Sequence, residues 1–439
     1  MGYFPKWTLK TEGVIAPDER PPFSQMIPLG AQHVVAMFGS TILAPLLMGF
    51  DPNLCVLMSG VGTILFFLIV GGHLPSYLGS SFAFIGVVCA ATGYAAGSGP
   101  NPNIAVALGG IVVVGILYAA IALLVMIIGV KWIEKLMPPV VIGGVCAVVG
   151  LNLAPTAIAG IGQGSFNALI AIVTCISVGA VAVFTRGLLQ KLLILVGILI
   201  SYAIYFVLAN IMGLGAPIDF TPIVEAPWFG LPKFTAPVFE LSAITLIAPV
   251  VVILVVENLS HVKLVTSMTG RNLDKYMGRA FLGDSLATIL AGMVGGTGVT
   301  TYGENIGVMA ANRIYSTLLF VVAGFFAILL GLSPKFGAII STIPQPLLGG
   351  VSVIVFGLIA VAGARVWVVN QVDFSNNRNL LVAAVTLIFG AGDFTVSFWG
   401  ITLGGIGTAT FAAIILNFLM NPSMKEEPAP HEVFTQETK

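Results

Sequence analysis

Gly295-Gly296-Thr297-Gly298-Val299-Thr300-Thr301-Tyr302-Gly303-Glu304-Asn305 interrupts one apolar stretch of the chain, and Leu74-Pro75-Ser76-Tyr77-Leu78-Gly79-Ser80-Ser81-Phe82-Ala83-Phe84 interrupts another. Both are rich in Gly, Ser and Thr, and both carry a Tyr just before an apolar run. The run at 302–312 is too short to cross a bilayer, which takes about 20 residues of helix. The pattern predicts extended backbone followed by a half-helix that starts inside the membrane. Non-helical backbone at that depth is tolerated only when buried in protein or lining a cavity. Its free N–H groups and the positive end of the half-helix dipole then face a polar ligand. A matched pair of such segments points to a substrate site.

The rest of the chain supports a membrane setting. Of 439 residues, 8% are charged and 57% hydrophobic, against about 25% charged in a soluble domain. Lys+Arg and Asp+Glu number 18 each, so the formal net charge is zero. Too few polar groups exist to cover a soluble exterior, which excludes a cytosolic enzyme, a nucleic-acid binder and a disordered chain. Cys55, Cys89, Cys146 and Cys175 lie in apolar segments without metal-like spacing, so neither a disulfide framework nor a zinc site is expected. The polar N-terminus, 1–22, lacks the short apolar core of a cleaved signal peptide.

Apolar runs predict an all-α polytopic protein with fourteen spans, at 27–48, 54–71, 81–97, 104–130, 137–156, 166–184, 188–213, 241–262, 277–295, 302–312, 315–333, 346–364, 379–392 and 397–420. Residues 1–26 and 421–439 are then cytoplasmic tails, and 214–240 is an extracytoplasmic linker between two seven-span halves, 27–213 and 241–420. With the N-terminus inside, sixteen of the eighteen Lys and Arg fall on cytoplasmic segments, and only Lys233 and Lys335 fall outside. Two related halves with an odd number of spans sit in opposite orientations, an inverted repeat. A faint repeat fits: Met137-Pro138-Pro139-Val140-Val141-Ile142-Gly143-Gly144-Val145 and, seven spans later, Ile343-Pro344-Gln345-Pro346-Leu347-Leu348-Gly349-Gly350-Val351. Paired glycines also serve close helix packing in any membrane bundle.

Most acids lie in tails and loops, but Glu257 follows seven apolar residues deep in the eighth span, and Glu304 opens the tenth. An intramembrane carboxyl is a functional candidate by default. His261 is one helical turn from Glu257, on the same face; a place at the cytoplasmic interface is its other reading. Carboxyls away from water favour the neutral form, more so beside one another. A Glu/Glu/His group can therefore take up and release a proton near neutral pH. Asp284 lies near the basic cluster Arg271, Lys275, Arg279, where an ion pair or helix cap is expected; Asp393 is placed at the outer boundary. Gln32, His33 and Asn258 are expected to hydrogen-bond the interrupted backbone. Trp7, Trp132, Trp228, Trp367 and Trp399 read as aromatic-belt anchors.

Pro21-Pro22 through Gln32-His33-Val34-Val35-Ala36-Met37-Phe38-Gly39, then Tyr77 to Phe84, then Thr300-Thr301-Tyr302-Gly303-Glu304-Asn305-Ile306-Gly307-Val308-Met309 carry a resemblance to a known family. The chain resembles the nucleobase–ascorbate (nucleobase–cation symporter 2) transporters over nearly its whole length, and within them the bacterial uracil and pyrimidine permeases of the uracil-degradation operon type. The resemblance implies fourteen spans as two inverted repeats, with a core domain (spans 1–4 and 8–11), a gate domain (spans 5–7 and 12–14) and short strands in spans 3 and 10. It implies substrate contacts at Glu257, Glu304, Gly303 and Phe82, with Ser40, Tyr302 and Phe356 as secondary candidates. Proton coupling is implied for Glu304, Glu257 and His261, and a homodimer through the gate domains. Phe356 stands where some uracil permeases have Tyr, and Asn312 where the signature usually has Thr.

The expected activity is import of uracil or a related pyrimidine across the bacterial inner membrane by proton symport with alternating access. Uracil is flat and uncharged, with N–H donors alternating with C=O acceptors, which carboxyls and free backbone N–H can match. Alternatives are an uncoupled nucleobase facilitator or channel, a purine (xanthine or uric acid) symporter, and an anion carrier, which carboxylates in the site disfavour. No cofactor, metal or nucleotide-binding motif supports an enzyme or ATP drive.

Overall fold

The computed structural model describes residues 2–398 and 401–420; Trp399 and the tail 421–439, with Lys425 and Lys439, lie outside the described residues. The principal helices, labelled in chain order, are α1 (Phe23–Met48), α2 (Pro52–Ile69), α3 (Phe84–Thr92), α4 (Ile104–Ile128), α5 (Pro139–Asn152), α6 (Ser165–Phe184) and α7 (Leu193–Phe206) in the first half. The second half has α8 (Val250–Thr269), α9 (Met277–Val294), α10 (Gly303–Asn312), α11 (Leu318–Gly331), α12 (Gln345–Val369), α13 (Asn377–Ala391) and α14 (Gly405–Leu419). Strand β1 (Leu78–Ser80) precedes α3, and β2 (Val299–Thr301) precedes α10. Among the described residues, eight helical stretches are long and apolar enough to cross a membrane alone. A ninth, Leu318–Gly331 with Pro334–Ser341, is bent by 77°. The protein is therefore a multi-pass membrane protein, and fourteen crossings would include the short helices.

Packing sorts the helices into two bundles. In the first, α4 lies on α9, α2 on both α9 and α11, and α1 on α11, with α3, α8 and α10 against them. In the second, α12 packs on α5 and α6, α13 on α5 and α14, and α6 on α7. The repeated glycine pairs serve this second bundle. A Cβ on Gly143 would stand 2.8 Å from the Gly363 carbonyl oxygen, and one on Gly350 2.8 Å from that of Ala171, so α12 meets α5 and α6 at backbone distance. Local chemistry sets helix ends. Asp51 caps α2 by accepting from Asn53 N–H at 2.8 Å, with Pro52 at the first helical position.

Several expectations are corrected. The third span begins as helix at Phe84, because 78–80 is strand. The fourteenth begins at Gly405: Val396–Phe398 and Ile401–Leu403, rich in β-branched residues, pair antiparallel before it. Residues 2–22 are no loose tail, since Thr8–Leu9 pairs with Glu19–Arg20 and Ile15 is buried against Ile314. Asp284 is fully buried two turns into α9 and accepts from Asn258 Nδ2 at 2.8 Å; Arg271 pairs instead with Asp18. Trp7 donates to Thr317 Oγ1 and Trp367 to the Val140 carbonyl, so both serve packing between segments. The linker docks on the first bundle, with Thr235 N–H on Val294 O at 2.9 Å and Val238 N–H on Ala105 O at 2.8 Å.

Candidate functional site

The two interrupted segments meet. β1 and β2 pair antiparallel, Leu78 opposite Thr301, Gly79 opposite Thr300 and Ser80 opposite Val299. A two-stranded ladder inside a membrane leaves two outer edges whose polar groups find no water. Helices on either side satisfy them. Thr63 on α2 accepts from Leu78 N–H at 3.0 Å, and Ser59 donates to Leu78 O at 2.7 Å. Thr288 on α9 accepts from Val299 N–H at 3.2 Å and donates to Val299 O at 3.0 Å. Tyr302 crosses the ladder, donating to Ser80 O at 2.8 Å and accepting from Thr41 Oγ1 at 3.0 Å.

The expected site residues gather around this ladder. Glu257, half-buried on α8, accepts from Ser81 Oγ at 3.3 Å. Glu304 is exposed in the first turn of α10 and accepts a hydrogen bond from buried Ser40. Its carboxyl stands at the positive end of the α10 dipole. His261 lies beside the ladder: its Nδ1 is 2.8 Å from Thr301 Oγ1, in β2. Gly303 is exposed, and a Cβ there would sit 3.4 Å from His261 Nε2. Phe82 meets Phe356 of the second bundle edge-on, with ring centroids 6.1 Å apart. The candidate residues therefore lie where the two bundles face each other.

The polar residues of α1 have partners other than those expected. Asn305 Nδ2 donates to His33 O at 2.9 Å, and Asn312 Nδ2 to Gln32 Oε1 at 3.0 Å. With Ser40–Glu304 and Thr41–Tyr302, these make α1 an antiparallel rail for α10. Asn258 bonds Asp284 behind the site instead of the strands. Asp393, at φ 48°, accepts from Gly405 N–H at 2.9 Å and so caps α14. Sequence reading missed Ser81, Thr301, Ser59, Thr63 and Thr288 as partners. Ser81 and Thr301 lie in the two Gly/Ser/Thr-rich stretches; the others are isolated hydroxyls in apolar helices, where only a nearby open strand edge gives them significance.

Residues 24–398 match the family described as "Permease family". The chain belongs to this family. The permease is 59% identical over 438 residues to "Putative pyrimidine permease RutG" of Escherichia coli (strain K12), covering 99% of each chain. It is 39% identical over 424 residues to "Uracil permease" of Paenibacillus larvae subsp. larvae, covering 93% of this chain and 97% of that one. These likenesses agree with the nucleobase–ascorbate resemblance and make the protein a transporter, not an enzyme. Among solved structures it superimposes on the transmembrane domain of a cyanobacterium bicarbonate transporter, BicA. The TM-score is 0.62 at 16% identity, over 90% of this chain and 96% of that one, a likeness of fold alone.

Proposed function

We propose that the permease imports uracil or a related pyrimidine nucleobase together with a proton, by movement of the first bundle against the second. The observation that carries this is the pair of carboxyls, Glu257 on α8 and Glu304 on α10, flanking one membrane-buried ladder and each anchored by a serine hydroxyl. A carboxylate offers about four acceptor positions, so both keep capacity for a ring N–H. A protonated carboxyl donates to a ring C=O as well. The exposed Gly303 leaves backbone free of side chain where a flat ring would lie. The names of the relatives support the pyrimidine class.

The exposed flank of α10 (Gly303, Glu304, Ala310, Ala311) leads toward Arg313, on the side the basic residues assign to the cytoplasm. Phe356, 2% exposed, meets Phe82 at the face of the second bundle. The site reads as open inward, with both termini cytoplasmic in a bacterial inner membrane. Fourteen spans in two inverted halves, 27–213 and 241–420, and a homodimer through the second bundle complete the proposal.

Uptake of radiolabelled uracil into proteoliposomes, with and without a proton gradient, tests this. Accumulation should need the gradient and collapse with an ionophore; uptake that ignores the ionophore makes the protein an uncoupled facilitator. Thymine should compete, and xanthine, uric acid and ascorbate should not; strong xanthine competition makes it a purine carrier. Glu304→Gln should abolish accumulation. Anion carriers share the fold, but two carboxyls at the site would repel an anion.

A further inference from the structure

The segment before α1 is fastened to the first bundle at several places. Ile15, 3% exposed, bridges to Ile314. Its N–H donates to Arg313 O at 3.0 Å, and its carbonyl accepts from Tyr315 N–H at 2.8 Å. These bonds bracket the turn that ends α10. Arg313 sits there at φ 55°, a left-handed conformation that a non-glycine residue keeps only when its surroundings hold it. Pro17 O accepts from Thr317 N–H at 3.2 Å, and Trp7 Nε1 donates to Thr317 Oγ1 at 2.9 Å. Asp18 pairs with Arg271 in the α8–α9 connection at 2.8 Å. Tyr3 Oη lies 2.8 Å from Leu68 O and 2.9 Å from Ile69 O, at the end of α2. The segment is braced within itself, since Glu19 accepts from Ala16 N–H at 2.8 Å.

Helix α10 depends on such fastening. It is 10 residues long, and Gly303, Glu304, Ala310 and Ala311 along one flank are exposed. That flank contributes little packing, and an isolated helix of this length is marginal. The ladder and Ser40 hold its first turn; the N-terminal segment holds its end. A short rod anchored at both ends tilts when either anchor slips.

We propose that residues 3–20 form a strap that fixes the end of α10, and that Ile15 is thereby a positioning residue for Glu304. The link to Glu304 rests on the substrate role proposed above. Two readouts on the purified full-length protein keep the ideas separate: amide hydrogen exchange over 303–317 without ligand, and uracil affinity. Ile15→Asp should raise exchange over 303–317 several-fold above the change elsewhere and weaken uracil binding several-fold. Ile15→Val should leave both near wild type. Asp18→Arg should act like a milder Ile15→Asp, and Asp18→Arg with Arg271→Asp should restore both readouts. Wild-type exchange over 303–317 in folded Ile15→Asp overturns the strap. So does failure of the charge swap to recover exchange; should Ile15→Asp not fold, the swap alone decides. Raised exchange with unchanged uracil affinity overturns the link to Glu304. If the wild type binds no uracil, the substrate reading falls, while exchange still decides the strap.

Discussion

Thr63 and Thr288 stand at matching places in the two halves of the protein. Each reaches the first residue of a strand, Leu78 of β1 or Val299 of β2, and accepts that residue's N–H, at 3.0 Å and 3.2 Å. Each hydroxyl also points at the same residue's carbonyl, at 3.4 Å for Thr63 and 3.0 Å for Thr288. One side chain thus closes a strand edge that lipid and helix surfaces would leave open. Thr288→Val keeps the shape and deletes the hydroxyl, stranding two buried backbone groups at about 1–3 kcal/mol each. Its thermal unfolding midpoint should fall well below that of wild type, and Thr288→Ser should recover most of the loss. Thr63→Val should cost less, because Ser59 also serves Leu78 O. Equal midpoints for Thr288→Val and wild type would show that the ladder edge does not need this bond.

Gly79 lies opposite Thr300 at the centre of the ladder. A Cβ there would stand 2.5 Å from both Thr41 Oγ1 and the Tyr302 ring. The ring cannot yield, since its hydroxyl is committed to Ser80 and Thr41. Gly79→Ala should therefore cost more than the ordinary overpacking penalty of about 1–3 kcal/mol and abolish uracil binding. Gly307→Ala, on the same half-helix as Glu304 with open space around its Cβ position, should be stable. Comparing the two unfolding midpoints checks the claim, and a Gly79→Ala protein as stable as Gly307→Ala would refute it.

Much of this arrangement was legible in the sequence, because lipid leaves so few ways to satisfy a polar group. A Gly/Ser/Thr run inside an apolar stretch has to be buried backbone, and Glu257 has to have a use. Those two statements lead to extended backbone and to the carboxyls beside it, while the short strands are what the family resemblance implies. Pairwise contacts were less legible. Nothing in the spacing of Gln32 and Asn312 says that they bond, because that depends on α1 and α10 running antiparallel. The polar N-terminus reads as a tail because composition reports polarity, not docking: Ile15, in the short apolar run Val14-Ile15-Ala16, is the bolt. Asp284 reads as a partner of the basic cluster only because it is close in sequence, which is not contact. About one and a half helical turns carry it from Arg279 into the bundle.

Glu257 and Ser81 separate binding from positioning. Ser81→Ala removes the hydroxyl 3.3 Å from Glu257 Oε2, a long bond, and leaves the carboxyl in place. Uracil affinity should drop only a few-fold. Glu257→Gln puts an amide where a ring N–H needs an acceptor, and a site built on matched donors and acceptors then rejects its ligand by orders of magnitude. Equilibrium binding to both variants tests the order. If Ser81→Ala lost as much affinity as Glu257→Gln, the serine and not the carboxyl would be the contact that matters.

Asp18 sets the acid limit of the strap. The hydrogen bond from Arg271 holds its carboxyl below the usual range, against desolvation, with the Arg271 charge assisting. A carboxyl lowered in the folded state contributes stability that is fully present above its unfolded pKa, about 3.9, and is lost as pH falls through the lower folded value. The latch is therefore closed at neutral and mildly acidic pH. Asp18→Asn should weaken the strap equally across that range, so its uptake should be reduced by one factor at every pH with the profile's shape kept. His261→Gln, which removes the imidazole beside Thr301, should change the shape instead. Uptake measured from neutral to mildly acidic pH for both variants decides it. A changed shape for Asp18→Asn would place proton sensing in the strap, whereas an unchanged shape for His261→Gln would remove the histidine from coupling.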